Sequence, residues 1–288
     1  MATTVGRLVM RPAKQAELPA ITAFLTDHIA TAMFPLSNLA RYGWGSAAPR
    51  GPRFWVAEHN GQITDVLTIT NEGMVMPNCP SGDWSEIAQI CADRPLIGLT
   101  GGSDQCDAVL VALKLTEAPA GINGREPLMQ LDLADLVTPD GNGQLEPLAE
   151  TNKSQMADWR AAFVTEAMGA DPDKAASIGA RDVATYITND SHRVLVVNDA
   201  PVALTGFNAT LPDTVQIGGV YTPPDLRGRG YARRAVALHL AEARDDGARN
   251  AILAAANPAA RRAYAALGFQ RTGDFTLHIF KTPQVAHG

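Results

Sequence analysis

The residues best suited to chemistry lie in one turn of the second half of the chain, where arginines cluster around two glycines. The turn reads Arg227-Gly228-Arg229-Gly230-Tyr231-Ala232, and Arg233 and Arg234 follow it directly. Arginines form charge-assisted hydrogen bonds with anions, and glycines let a backbone approach a ligand closely. In a chain with a net charge of −6, this cluster predicts a confined anion site.

The flanking sequence predicts a strand before this turn and a helix after it. Residues 214–222 favour a strand that Pro223 and Pro224 end, and residues 231–243 repeat apolar positions at helical spacing, with Gly247 as the stop. The first amides of a helix have no intrahelical acceptors and lie at the positive end of its dipole. A pyrophosphate therefore suits the turn better than a single carboxylate.

Two common nucleotide-binding motifs do not match the turn. It lacks the lysine and the serine or threonine of the G-x-x-x-x-G-K-[ST] loop, and Arg233 stands where the fingerprint G-x-G-x-x-G has its third glycine. The pattern that remains, R-x-x-G-x-A, is a weak signal by itself, so the rest of this half must support it.

A second block of interest follows at residues 257–269. Asn257 is a good N-cap, Pro258 suits the first helical position, and Gly268 can end a helix of about three turns. Asn257 can be a cap, a coenzyme contact or both. Tyr264 on this helix is either a half-buried packing residue or a group that takes part in the chemistry.

Together these segments strongly resemble the GNAT superfamily of N-acetyltransferases. Residues 220–232 are similar to its central strand and coenzyme loop, residues 251–255 to its next strand, and residues 257–269 to its signature N-x-x-A-R-x-x-Y-x-x-x-G-F. The resemblance covers residues 150–281, and the arrangement is similar to the tandem subgroup, in which a divergent module precedes the catalytic one.

The resemblance implies transfer of an acyl group, expected to be acetyl, from acetyl-CoA to an amine of a small molecule or peptide by direct attack. Tyr264 would protonate the departing thiolate, and the Val220 amide would hold the developing oxyanion. The expected coenzyme-binding residues are Val220, Tyr221, Thr222, Arg227, Gly228, Arg229, Gly230, Tyr231, Ala232, Arg233 and Asn257.

The general base cannot be carried over from the family. Its members often have a carboxylate on the central strand, where this chain has Gln216, Gly218 and Gly219. Glu166 on the preceding helix is a candidate, although a solvated charge on the helix face is the simpler interpretation. A non-catalytic acyl-CoA-binding module is therefore the alternative function, and a purely structural interaction protein is a second rival.

The pattern of helices followed by a β-hairpin occurs twice, which predicts an internal duplication. The hairpins are expected around the turns Asn60-Gly61 and Asp199-Ala200. We expect an α/β fold of the α+β type with two GNAT-like modules, each a mixed, mainly antiparallel sheet flanked by helices. A divergent, non-catalytic module would occupy residues 1–140 and the catalytic domain residues 150–288, with the boundary in the polar run 138–143.

The first half contains another strand, glycine turn and helix, at residues 96–113. Asp104 and Asp107 are expected in the first helical turn, where carboxylates satisfy the dipole and repel phosphate, and no arginine is expected nearby. This turn is expected to be structural, and the module to shape the substrate cleft or to support the catalytic half.

Composition excludes several other classes of protein. No apolar run approaches the ~20 residues that cross a bilayer, residues 1–7 lack a signal-peptide core, and there is no basic stripe for nucleic acid. Neither the histidines nor the three cysteines, Cys79, Cys91 and Cys106, show metal-ligand spacing. We expect a cytoplasmic enzyme without a metal, and the sequence is compatible with an oligomer.

Overall fold

The computed structural model describes residues 9–255 and 257–286, which hold twelve strands and eight α-helices. One order of elements occurs twice: strand, two helices, three strands, helix, strand, helix, strand. The predicted internal duplication is therefore confirmed. Residues 1–7, on which the expectation of no signal peptide rests, lie outside the described part.

The first run contains β1 (Arg11–Pro12), α1 (Leu18–Asp27), α2 (Ile29–Tyr42), β2 (Pro52–His59), β3 (Gln62–Thr70), β4 (Met74–Asn78), α3 (Trp84–Cys91), β5 (Pro95–Gly102), α4 (Ser103–Ala112) and β6 (Ala120–Asp132). The second run contains β7 (Gln144–Pro147), α5 (Lys153–Met168), α6 (Pro172–Thr188), β8 (His192–Val197), β9 (Ala200–Thr210), β10 (Thr214–Tyr221), α7 (Tyr231–Asp245), β11 (Asn250–Ala254), α8 (Pro258–Ala265) and β12 (Gln270–Val285).

The chain forms two compact units, of which the first is discontinuous. It consists of residues 1–126 and 273–288, and the second unit of residues 127–272. Most of β12 thus belongs to the first unit, although it ends the second run of elements. The predicted domains 1–140 and 150–288 have different bounds, because residues 127–140 belong to the second unit and residues 273–288 to the first. The non-catalytic and catalytic roles of the two domains stay predictions.

Both units have a mixed, mainly antiparallel sheet flanked by helices, as predicted. The strand order is β1-β2-β3-β4-β5-β12-β6 in the first unit and β6-β11-β10-β9-β8-β7 in the second, because β6 contributes to each. The parallel pairs are β4 with β5 and β10 with β11. Each pair is joined by one helix, α3 in the first unit and α7 in the second.

Helices cover both faces of the sheet in the second unit. Val194 and Leu195 are adjacent on β8 and fully buried, so their side chains point to opposite faces. Val194 packs in a cluster with Trp159 of α5 and Val183 of α6, whereas Leu195 packs with Ala235 of α7. The sheet is therefore buried between α5 and α6 on one side and α7 on the other.

The two predicted hairpins form, but one turn is displaced by a residue. Asn60 and Gly61 have φ values of 53° and 77°, as the Asn-Gly signal predicts. In the second hairpin the positive φ values are at Asn198 and Asp199, so the predicted turn at Asp199-Ala200 is wrong. Ala200 pairs with Val197 instead, because Asn and Asp tolerate left-handed backbone better than Ala.

The segment 138–143, predicted as the boundary, has no regular secondary structure but is held by an arginine. Arg234 donates from Nε to the Asn142 carbonyl at 3.0 Å and from Nη1 to the Pro139 carbonyl at 2.7 Å. Its guanidinium thus anchors this segment to α7.

Cys79, Cys91 and Cys106 are buried thiols without disulfides, and burial raises the pKa of Cys91 and of Cys106 to about 12. Among the described residues, no helix has both the length and the apolar character needed to cross a membrane.

Candidate functional site

The parallel strands β10 and β11 are paired only at their first residues. Thr214, Val215 and Gln216 pair with Asn250, Ala251 and Ile252, and β10 then continues to Tyr221 without a further pair on that side. Its register against β9 shifts between Gly218 and Tyr221, where Gly219 has a φ of 66°. This β-bulge turns the strand at the point where its backbone is open to a ligand.

The predicted coenzyme loop joins this open strand to α7. Gly228 has a φ of 77°, and Gly230, the N-cap of α7, has a φ of 81°. No side chain caps the helix, so its first amides lack acceptors at the positive end of the dipole. A Cβ on Gly228 would meet no atom within 4 Å, which leaves the face of the loop open.

Polar groups without partners surround this helix end. Among the described residues, the buried atoms Nε of Arg233 and Oγ1 of Thr222 have no hydrogen-bond partner. Nη2 of Arg233 lies 3.9 Å from the position that a Cβ on Gly230 would take, and Arg229 is exposed, with one bond to the Asp225 carbonyl. Two guanidinium groups and an uncapped helix fit an anionic group such as a pyrophosphate.

The Arg227 side chain, predicted to bind the coenzyme, already has partners within the protein. Its Nη1 and Nη2 donate to the two carboxylate oxygens of Glu166 at 2.9 and 2.7 Å, and its Nε donates to the Thr222 carbonyl at 2.9 Å. These hydrogen bonds lower the pKa of Glu166, which makes it a poorer general base. Three of the five N–H groups of this guanidinium are thus engaged within the protein, and two remain for the expected bond to an anion.

The remaining predicted coenzyme residues present mainly backbone atoms to a ligand. Tyr221 is 7% exposed and packs against Trp159, with ring centroids 6.0 Å apart, and Val220 and Tyr231 are half-buried against apolar clusters. Ala232 has no polar side-chain atom. Contacts from Val220, Tyr221 and Ala232 to a coenzyme would therefore pass through their amides and carbonyls.

The block 257–269 forms the predicted cap and a shorter helix. Oδ1 of Asn257 accepts a hydrogen bond from the Ala260 amide at 2.9 Å, which confirms the N-cap, and α8 ends at Ala265. Tyr264 is half-buried against the cluster that also holds Val220, and its ring meets Phe269 edge-on at 5.9 Å. Both the packing role and the chemical role of Tyr264 are compatible with this position.

Three glycines near the bulge accommodate polar side chains that the sequence argument missed. A Cβ on Gly206 would overlap the ring of His192, and one on Gly219 would stand 3.1 Å from its Nε2, while Gly218 gives room to Asn208. The His192 ring stacks on Tyr186, and burial lowers its pKa to about 3. The glycines were visible in the sequence, but their partners lie on other strands.

In the first unit, β4 and α3 correspond to β10 and α7, but the N-terminus of α3 is capped by a side chain. The turn from β4 to α3 has Asp83 as the N-cap, whose carboxylate accepts from the Glu86 amide. The buried Asp65 accepts from both the amide and the hydroxyl of Ser81, at 2.9 and 2.7 Å. Two carboxylates already occupy the amides here and would repel a phosphate.

The turn of the first unit that corresponds to the coenzyme loop is not the glycine turn that the sequence suggested. In the repeated order of elements, the turn Gly101-Gly102 between β5 and α4 corresponds to the turn before α8 and not to the coenzyme loop. The expectation that no arginine is near its carboxylates is wrong, because Arg125 of β6 pairs with Asp104 at 3.0 Å and with Asp107 at 2.6 Å. These contacts between α4 and β6 join residues that are 18 or more positions apart in the sequence.

Comparison with known proteins relates this part of the chain to a family. Residues 153–269 match the family model described as acetyltransferase (GNAT) family. This part of the chain is a GNAT domain. It contains the open strand β10, the loop that precedes α7, and α8 with Tyr264, so the elements expected from the GNAT resemblance are present in the expected order. The comparison with curated proteins gives no match.

Solved structures share the fold over nearly the whole chain. A GCN5-related N-acetyltransferase from Sphaerobacter thermophilus is 14% identical, with a TM-score of 0.55 over 98% of this chain and 99% of that one. One from Kribbella flavida is 17% identical, with a TM-score of 0.55 over 88% and 95%. A tandem GNAT protein from the clavulanic acid biosynthesis pathway is 14% identical, with a TM-score of 0.51 over 94% and 97%.

The chain therefore has the two-module GNAT fold, and its GNAT domain supports an acyltransferase activity that depends on acyl-CoA. In the part of the chain that the structure describes, no group of three or more His, Cys, Asp or Glu side chains could hold a metal ion.

Proposed function

We propose that the protein transfers an acetyl group from acetyl-CoA to a primary amine of a small molecule or peptide. The observation that carries the proposal is the uncapped N-terminus of α7, which follows a glycine loop at the end of the open strand β10. A helix end of this kind binds the pyrophosphate of a nucleotide coenzyme through backbone amides. Arg229 and Arg233 would add charge-assisted hydrogen bonds to the same group.

The chemistry needs only a few groups of the chain. Acetyl-CoA supplies a thioester whose carbonyl carbon the amine attacks, so a C–N bond forms and the C–S bond breaks. The amide of Val220, within the bulge, would stabilise negative charge on the carbonyl oxygen, and the Tyr264 hydroxyl would give a proton to the departing sulfur. The amine would lose its proton to water or to a base that is not yet assigned.

A non-catalytic acyl-CoA-binding module is the second candidate. It is favoured by the absence of a carboxylate on β10, where the chain has Gln216, Gly218 and Gly219. Such a module would bind acetyl-CoA at the same loop, because the helix end and the arginines do not depend on a base. Retention of Tyr264 in α8 favours the enzyme over this alternative.

One pair of measurements separates these functions. Calorimetry with acetyl-CoA should show binding, and release of the CoA thiol from acetyl-CoA should rise above its hydrolysis with at least one member of a panel of small amines and lysine peptides. Binding without amine-dependent thiol release across the panel would favour the non-catalytic module. Absence of binding would reject both and leave a structural protein.

A further inference from the structure

The ion pair between Glu166 and Arg227 connects helix α5 with the coenzyme loop. Both side chains are about half exposed, at 55% and 43%, yet the pair is bidentate, with N–O distances of 2.9 and 2.7 Å. Two parallel hydrogen bonds fix the direction of a guanidinium far better than one contact between point charges. The pair therefore fixes the orientation of the Arg227 guanidinium as well as attracting it.

Two further contacts hold the same arginine and the same helix. Nε of Arg227 donates to the Thr222 carbonyl, and its guanidinium lies 5.8 Å from the centre of the Tyr221 ring. Tyr221 in turn packs against Trp159, which lies seven residues before Glu166 and thus on the same face of α5. Helix α5 contacts the end of β10 through Trp159 and the loop through Glu166.

We propose that Glu166 is a positioning residue for the coenzyme. Through Arg227 it holds the loop so that the amides at the N-terminus of α7 face the pyrophosphate, an inference that rests on the proposed function. On this proposal Arg227 supports the loop and is not counted as a ligand of the anion, because three of its five N–H groups already donate within the protein. The anion is left to the amides, Arg229 and Arg233.

The competing interpretation makes the opposite prediction. If Arg227 were a pyrophosphate ligand, Glu166 would compete with the coenzyme for it and add a repelling charge. Removing that charge would then strengthen binding. If Glu166 positions the loop, the same change weakens binding. Without the ion pair the loop is less ordered before the coenzyme binds, and ordering it on binding reduces the net binding free energy. The sign of the change in affinity distinguishes the two.

The experiment is calorimetry of acetyl-CoA on the full chain with Glu166→Gln, Arg227→Gln and the double variant. Each single change should raise Kd about threefold to tenfold, the range of a well-formed, partly exposed ion pair. The double variant should lose no more than the single ones, since both act through one contact. In the amine assay KM for acetyl-CoA should rise while kcat stays near the wild-type value.

A second ion pair of α5 provides the matched control. Arg160 of α5 donates to Asp182 of α6 at 2.9 Å, in a more buried position. Asp182→Asn also breaks a bond of α5 and is expected to lower the melting temperature, but it should leave the Kd of acetyl-CoA unchanged. An equal loss of affinity in this control would mean that any loosening of α5 has the effect, which overturns the specific role of Glu166.

Three other outcomes would overturn all or part of the proposal. Tighter or unchanged binding by Glu166→Gln, with binding by the wild type intact, overturns the positioning role alone. Fully additive losses in the double variant would mean that Arg227 contacts the coenzyme independently of Glu166. Absence of acetyl-CoA binding by the wild type rejects the proposed function, and the positioning role with it.

Discussion

Tyr264 brings a phenolic hydroxyl to a helix whose neighbouring positions are mostly alanine and arginine. Replacement by Phe keeps the ring and its edge-on contact with Phe269, so folding and acetyl-CoA affinity should change little. If the hydroxyl protonates the departing sulfur, turnover should fall by about 10²-fold, the lower end for general acid catalysis. Turnover and acetyl-CoA affinity measured on Tyr264→Phe test this role.

The half-buried Tyr42 of the first unit serves as the control. Tyr42→Phe removes the same hydroxyl from a position outside the loop and α8, and turnover should stay at the wild-type value. Unchanged turnover in Tyr264→Phe with a reactive amine would show that Tyr264 is only a packing residue. A smaller loss than predicted would indicate that solvent partly replaces the phenol.

Three buried histidines, His192, His239 and His278, make the stability of the protein dependent on pH, because burial lowers the pKa of each. Burial lowers the pKa of His192 and of His239 to about 3, and each ring stacks on an aromatic side chain, Tyr186 or Phe207. The folded state therefore binds fewer protons than the unfolded state between the unfolded pKa of about 6.5 and pH 3. Stability is complete above about pH 6.5 and falls as the pH decreases through this window.

The expected slope is about 1.4 kcal/mol per pH unit for each histidine well below pH 6.5. Urea unfolding between pH 7.5 and pH 5 measures it. His239→Phe keeps an aromatic ring against Phe207 and should remove the contribution of one histidine from this slope, about 1.4 kcal/mol per pH unit. An unchanged slope in His239→Phe would contradict the buried neutral imidazole.

At the scale of elements, the glycine at the N-cap of α7 connects backbone conformation with ligand access. Gly230 has a φ of 81°, so a valine there would strain the backbone by roughly 1–2 kcal/mol and also cover the helix amides. We expect Gly230→Val to abolish detectable acetyl-CoA binding while the protein stays folded. Calorimetry and thermal unfolding on the same sample measure the two effects.

Gly61 allows the strain to be separated from the loss of access. It lies in the hairpin turn between β2 and β3, has a φ of 77°, and has open space around its Cβ position. Gly61→Val should lower the melting temperature to a similar extent but leave acetyl-CoA affinity intact. Near-normal affinity in Gly230→Val would show that the coenzyme loop is wrongly assigned.

The elements that sequence patterns predicted are those formed by neighbouring residues. The strand at 214–222, the helix from Tyr231, the Asn257 cap and the Asn60-Gly61 hairpin depend on periodicity, capping and turn chemistry within a few positions. The pairing of Arg227 with Glu166, 61 residues away, and that of Arg125 with Asp104 depend on tertiary structure. No local pattern contains them.

At the scale of the whole chain, the repeated order of elements predicts the number of coenzyme sites. The two runs have the same sequence of strands and helices, so each contains a turn between a central strand and the helix that follows. In the second run that turn ends in Gly230, and in the first it ends in Asp83. The same arrangement thus has an uncapped helix N-terminus in the second unit and a capped one in the first.

We therefore expect one acetyl-CoA per chain. In the first unit the amides of Ser81 and Glu86 already donate to Asp65 and Asp83, and a phosphate would have to displace carboxylates whose charge repels it. Calorimetry should give a stoichiometry of one for the wild type, and Asp83→Ala, which removes the cap, should lower the melting temperature without changing that number. A stoichiometry of two would show that the first unit also binds the coenzyme. Loss of a single site on changing Asp83 while Gly230→Val still binds would place the coenzyme in the first unit and reverse the roles assigned to the two modules.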